Sequence, residues 1–222
     1  MTSKKKWRAS ATPPSKIRRT PKYRMKAISG IVIFISILIA VFLVRSITPS
    51  KIGGNSIDYA IGSPASGAIA PGFSLPATSG ATVNLADYRG KTVLLFFHEG
   101  IGCQPCWDQI RDLESAKSRL QSVGVDELLT ITSGPVKLIA QKMADDRLTA
   151  IALSDINLAV SKTYQANQFG MMGDSRDGHS LILVGPDGRI AWRADYGGPP
   201  KYTMYVTLDK ILSDMKAGRT AA

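Results

Sequence analysis

Residues 91–113, KTVLLFFHEGIGCQPCWDQIRDL, constrain this chain more than any other stretch. Positions 92–97 form a continuous run of β-favouring, apolar character, the pattern of a strand buried on both faces of a parallel sheet. Glu99, Gly100, Ile101 and Gly102 break the run. Cys103-Gln104-Pro105-Cys106 follows, and then a helical pattern with Ile110 and Leu113 on one face and Leu120 continuing it. A CxxC pair between a strand, a Gly-containing turn and a helix is the setting in which a dithiol becomes a redox centre.

The physical reason lies at the helix start. A cysteine there faces unpaired backbone N–H groups and the positive end of the helix dipole. Both stabilise the thiolate, and the thiolate is the nucleophile. Cys103 falls just before the first helical turn. Pro105 suits an early helical position, where its missing N–H costs nothing. Cys106 is within reach of Cys103, and these are the only two cysteines, so any intramolecular disulfide joins them. A bridge kept for stability is the competing reading. Closing so short a loop contributes only about 2 kcal/mol, at the bottom of the usual range, so the spacing favours a working dithiol.

The net charge of +11 is unevenly spread. Ten Lys or Arg and no acid fall in residues 1–26, and the remaining 18 basic residues face 17 acidic ones. The rest of the chain is nearly neutral and presents no nucleic-acid surface. Residues 27–44, AISGIVIFISILIAVFLV, are uncharged and bounded by Lys26 and Arg45. About that length spans the hydrocarbon core as a helix. The basic residues on its N-terminal side predict a cytoplasmic tail over 1–26, a single-pass signal anchor in the lipid bilayer over 27–44, and a domain outside the cytoplasmic membrane. A cleaved signal peptide would want an Ala-x-Ala-like site after the apolar run, and none is present. A buried core helix would show amphipathic spacing, and this segment is apolar all round. An external location also suits a disulfide.

Residues 45–69, rich in Ser, Gly, Ala and Pro, read as a linker. The domain proper is expected over 70–218. After the CxxC helix, residues 127–132 (ELLTIT) read as a strand, 135–145 as a helix, 149–153 as a strand and 157–164 as a short helix. Strand alternating with helix means parallel strands with helices on both faces. Residues 170–178, GMMGDSRDG, are a loop. Residues 181–184 and 189–193 flank Pro186-Asp187-Gly188 as a β-hairpin, and 206–215 is a C-terminal amphipathic helix.

The phrases APGFSLPATSGATVNLADYRGKTVLLFF, the CQPC helix and HSLILVGPDGRIAWRADYGG together resemble a thioredoxin-fold redoxin of the AhpC/TSA, peroxiredoxin-like family. The resemblance covers about two-thirds of the chain. It implies an α/β fold, a central mixed sheet flanked by helices with an antiparallel hairpin at one edge, following the transmembrane helix.

Three chemistries fit that resemblance. In thiol–disulfide exchange, Cys103 attacks a partner disulfide and Cys106 resolves the mixed disulfide. The partners would be exported thiol or disulfide proteins, with a membrane or external electron donor and no cofactor. This chain departs from thioredoxins in having Gly102 where a Trp usually precedes the first cysteine. It also has Gly178-His179-Ser180 where a cis-proline usually lies over the disulfide. In a peroxidase, one reactive cysteine reduces peroxide within a Pro-x-x-x-Thr/Ser-x-x-Cys motif whose hydroxyl orients the substrate. Counting back from Cys103 gives Gly100 and Phe96, which leaves only backbone N–H groups for that task and predicts slow turnover. In a Sco-like copper chaperone, a histidine such as His179 joins two cysteines on Cu(I), a ligand set of suitable softness. That family uses CxxxC, and this chain has CxxC. A zinc site from Cys103, Cys106, His98 and His179 is conceivable by ligand type.

Supporting roles follow. His98, if protonated, lowers the Cys103 pKa; otherwise it is a polar residue where the strand leaves the core. Glu99 accepts a proton from Cys106 if partly buried, although exposure at the turn is expected. His179 is either a functional neighbour of the dithiol or a solvent-touching loop residue. Trp107 and Trp192 read as packing residues. Met171 and Met172 read as gap-fillers, with a thioether ligand or a substrate surface as the alternatives. A purely structural or binding domain, with an inert disulfide, is the non-enzymatic alternative.

Overall fold

The computed structural model describes residues 57–220. The basic tail over 1–26 and the expected anchor over 27–44 lie outside the described residues. Two short strands, β1 (Ser74–Pro76) and β2 (Thr82–Asn84), pair antiparallel and lead through a 3-10 turn, Leu85–Tyr88, to the first central strand, β3 (Val93–Phe97). Helix α1 (Gln104–Ser115), α2 (Lys117–Ser122), β4 (Glu127–Thr132), α3 (Val136–Asp145), β5 (Ile151–Ser154) and α4 (Ala159–Thr163) follow. The chain closes with β6 (Ser180–Val184), β7 (Ile190–Asp195) and α5 (Leu208–Thr220).

The five-stranded sheet has the order β5-β4-β3-β6-β7. Strands β3, β4 and β5 are parallel, while β6 runs antiparallel to both β3 and β7. This is the mixed α/β sheet expected. Every residue of β3 is buried, because α1 covers one face and the β1–β2 side covers the other. On one face Leu94 and Phe96 pack with Trp107, Ile110 and Leu113 of α1 and with Ile211 and Met215 of α5. On the other, Val93, Leu95 and Phe97 pack with Phe73, Leu75 and Tyr164.

Two local expectations change. The helical pattern running from Ile110 to Leu120 is interrupted at Ala116, where the backbone leaves helical geometry and separates α1 from α2. Residues 57–69, expected to be part of a spacer, are bonded to the domain. Tyr59 is buried against Trp192 and Tyr196. The Ala60 N–H donates to the Asp195 carbonyl, and the Gly62 N–H donates to the Asp195 carboxylate at 2.6 Å. That carboxylate also forms a two-pronged pair with Arg193, and both side chains are fully buried. Low-complexity composition concealed this docking, which depends on one buried ion pair far along the chain.

The register explains how the site is assembled. Phe97 pairs with Ser180 antiparallel, so the next residue of one strand, His98, faces the preceding residue of the other, His179. Ser180 pairs in turn with Asp195, which brings Tyr196 alongside His179. Strand β3 therefore delivers the CxxC turn to the same sheet end at which β6 begins.

Candidate active site

Cys103 and Cys106 are joined as a disulfide with Cα atoms 5.4 Å apart. Cys103 is the N-cap of α1 and Pro105 lies in its first turn. The Cys103 carbonyl accepts the Cys106 N–H at 3.0 Å. The two sulfur-bearing residues are not equivalent: Cys103 is 8% exposed and Cys106 is 0% exposed. The dipole and free amides of a twelve-residue helix favour the thiolate at Cys103.

The preceding turn is built around Gly100. Its carbonyl accepts both the Cys103 N–H at 3.0 Å and the Trp107 indole N–H at 3.1 Å. Its φ of +74° suits glycine. A Cβ at this position would overlap the Thr132 hydroxyl. That buried hydroxyl has no hydrogen-bond partner. The position that carries a side-chain hydroxyl in the peroxidatic motif is thus occupied by a neighbouring threonine, which points into the protein and away from solvent.

His98 is fully buried, stacked on Phe96 and edge-on to Trp107. Its Nδ1 accepts the Gly100 N–H at 3.2 Å. Burial, with a smaller push from His179, brings its pKa down to about 3. It is a neutral ring that supports the turn, and the expectation that a cationic His98 activates Cys103 is corrected. His179 is equally buried and packs edge-on to Phe96, which overturns the solvent-touching reading. Burial lowers its pKa to about 3 as well, with the nearby Met204 backbone pulling slightly the other way.

Glu99 is buried, contrary to expectation. Its carboxylate accepts the Met171 N–H at 2.5 Å, so it fastens the 170–178 loop to the turn. Arg176 completes the fastening by donating to the Ile101 carbonyl at 2.6 Å. The methionines of that loop fill no gap: Met171 and Met172 are exposed. Trp107 and Trp192 are core residues, as expected.

Among the described residues no three His, Cys, Asp or Glu side chains converge to hold a metal. The Cys103–Cys106–His179 copper site and the four-residue zinc site are therefore not formed. Two buried residues gave no local signal. Met204 forms a small buried apolar cluster with Cys103 and Cys106. Asp177 is a buried carboxyl whose pKa is pushed well above the usual carboxylate range, first by burial and then by the Asp155 charge.

The AhpC/TSA family model matches residues 66–193, which include the whole dithiol turn and both histidines. The chain belongs to the AhpC/TSA family. The chain is 35% identical over 129 residues to Peroxiredoxin Bcp of Escherichia coli K12, covering 56% of this chain and 81% of that one. It is also 37% identical over 79 residues to the thiol-disulfide oxidoreductase ResA of Geobacillus thermodenitrificans, covering 36% of this chain and 44% of that one. Among solved structures, the fold matches the Mycobacterium tuberculosis peroxidoxin BcpB at a TM-score of 0.57 and 18% identity, over 69% of this chain and 97% of that one. It matches Enterococcus faecalis AhpC at a TM-score of 0.58 and 13% identity, over 71% and 93% of the two chains. An AhpC/TSA protein with a dithiol at the start of a helix is an oxidoreductase acting on thiols, and this chemistry needs no cofactor.

Proposed function

We propose that this protein is a thiol–disulfide redoxin in which Cys103 exchanges with partner disulfides and Cys106 resolves the intermediate. The unequal exposure of the two cysteines carries the reading. In the reductive direction, the Cys103 thiolate attacks a partner disulfide and displaces one partner sulfur as its thiolate. Cys106 then attacks Cys103, releasing the second partner thiolate and closing the Cys103–Cys106 bond. Protons pass from the two cysteines to the two partner thiolates by way of water. Two electrons leave the dithiol, and one partner disulfide becomes two thiols.

The reading includes an external location, supported by the basic residues ahead of the uncharged 27–44 segment. The partners are then exported proteins, and an external or membrane donor returns the electrons. Turnover of a protein disulfide tests the assignment: Cys103→Ser is expected to abolish it, and retained activity in that variant would overturn it.

Peroxide reduction is the second reading, favoured by the identity with Peroxiredoxin Bcp. Here the Cys103 thiolate attacks one peroxide oxygen, the O–O bond breaks to release hydroxide, which is protonated to water, and Cys103 becomes a sulfenic acid; the Cys106 thiol then attacks that sulfur, displacing a second water and forming the disulfide. Gly100 itself carries no hydroxyl, the Thr132 hydroxyl beside it is buried, and both histidines are buried and neutral. These features predict slow turnover of peroxide, while the family match and the identity with Peroxiredoxin Bcp support this reading at least as well as disulfide exchange.

A further inference from the structure

We propose that Met204 is a positioning residue that covers the disulfide and selects, by size, which thiols reach the Cys103 sulfur. The inference rests on the redox reading of Cys103–Cys106. Met204 belongs to neither large core layer; it packs with Cys103 and Cys106 in a small apolar group of its own. It is 7% exposed. Nothing in the local sequence demands a methionine there, so the contact depends on how residues 203–206 are held.

They are held on both sides of Met204. Before it, the Thr203 N–H donates to the Tyr196 carbonyl at 2.7 Å. After it, the Tyr205 hydroxyl donates to the Asp112 carboxylate. The Val206 N–H donates to Gln109 Oε1 at 2.7 Å. Gln109 is fully buried and sits three residues after Cys106 on α1, hence on the same helix face. The strap is thus fastened to the very helix that begins at the dithiol, and it holds one unbranched, polarisable side chain in the apolar cluster of the two cysteines. The segment before β6, where thioredoxins place a covering proline, is Gly178-His179-Ser180. Met204 supplies a cover from a different loop.

Thiolate attack on a disulfide requires approach in line with the S–S bond. A thiolate meets the Cys103 sulfur opposite Cys106, a new bond to Cys103 forms, the Cys103–Cys106 bond breaks, and its electron pair stays on the Cys106 sulfur, which takes a proton from water. A second thiol then releases Cys103 and leaves with the first as an external disulfide. A side chain clustered with the two cysteines narrows the first approach, and it hinders a bulky thiol more than a small one.

The test is the rate at which 2-mercaptoethanol and glutathione reduce the oxidised full-length protein in detergent, followed by alkylating the freed thiols and weighing the product. In Met204→Ala the ratio of the glutathione rate to the 2-mercaptoethanol rate should rise at least about fivefold, the scale of one relieved close contact. Met204→Leu, similar in bulk, should keep the wild-type ratio. Global loosening would speed both thiols together and leave the ratio unchanged. An unchanged ratio in Met204→Ala, or a Met204→Leu protein as open as Met204→Ala, overturns the proposal. If Met204→Ala does not fold, Gln109→Ala releases the strap from α1 and carries the same expectation. Retained turnover in Cys103→Ser would sink the redox reading instead; an inactive Cys103→Ser protein with an unchanged ratio would sink only the role of Met204.

Discussion

Replacing His179 with leucine should flatten the acid sensitivity of the fold, and the size of the effect follows from burial. His179 is neutral in the folded protein, with its pKa lowered from 6.5 to about 3. Below pH 6.5 the unfolded chain gains a proton at this ring that the folded chain refuses, so stability is complete above 6.5 and falls as pH drops towards 3. pH 5 lies about 1.5 units below the unfolded ring's pKa of 6.5, which amounts to about 2 kcal/mol of lost stability at roughly 1.4 kcal/mol per unit. His98 behaves alike. Asp177 acts with the opposite sign: its raised pKa keeps a proton in the fold that the unfolded chain has lost. Removing His179 takes away one of the two histidine contributions to the acid sensitivity. Urea titrations of the oxidised full-length protein at pH 5, 6 and 7, read by the fluorescence of buried Trp107 and Trp192, measure the slope. A His179→Leu protein that loses as much stability as wild type between pH 7 and pH 5 would refute the claim that this ring is buried and neutral.

Restoring the peroxidatic hydroxyl by Gly100→Thr should damage the protein rather than activate it. The residue has φ +74°, and its new Cβ would overlap Thr132; a loss of about 2–4 kcal/mol is expected in urea titration. Stopped-flow Trp fluorescence of the reduced protein with hydrogen peroxide should give a rate near that of a free thiol, and a rate far above it would make peroxide the substrate.

Much of the fold could be read from pattern. The unbroken run in β3 announced a strand covered on both faces, ELLTIT matched β4 residue for residue, and Pro186-Asp187-Gly188 marked the β6–β7 hairpin. The dithiol was legible too, because its setting is local: strand, glycine turn, N-cap cysteine and early proline lie in one contiguous stretch. What escaped depends on contacts between distant segments. Whether His98 and His179 are wet or dry is decided by register, since the Phe97–Ser180 pair brings them together under Phe96 and Trp107. The sequence predicts an exposed Glu99 because its partner, the Met171 amide, belongs to a loop whose path the sequence leaves open. Met204 was invisible for the same reason: three hydrogen bonds to Tyr196, Asp112 and Gln109 put it on the disulfide, and none of them is a local signal.

The most direct measurement of the central claim is mass spectrometry of the covalent species formed when each single-cysteine variant meets a disulfide-bonded protein partner. The account predicts that Cys106→Ser, which keeps Cys103, accumulates a mixed disulfide through Cys103. Cys103→Ser, left with the fully buried Cys106, should form little or none. Equal trapping by both variants, or trapping through Cys106 alone, would contradict the assignment of Cys103 as the nucleophile.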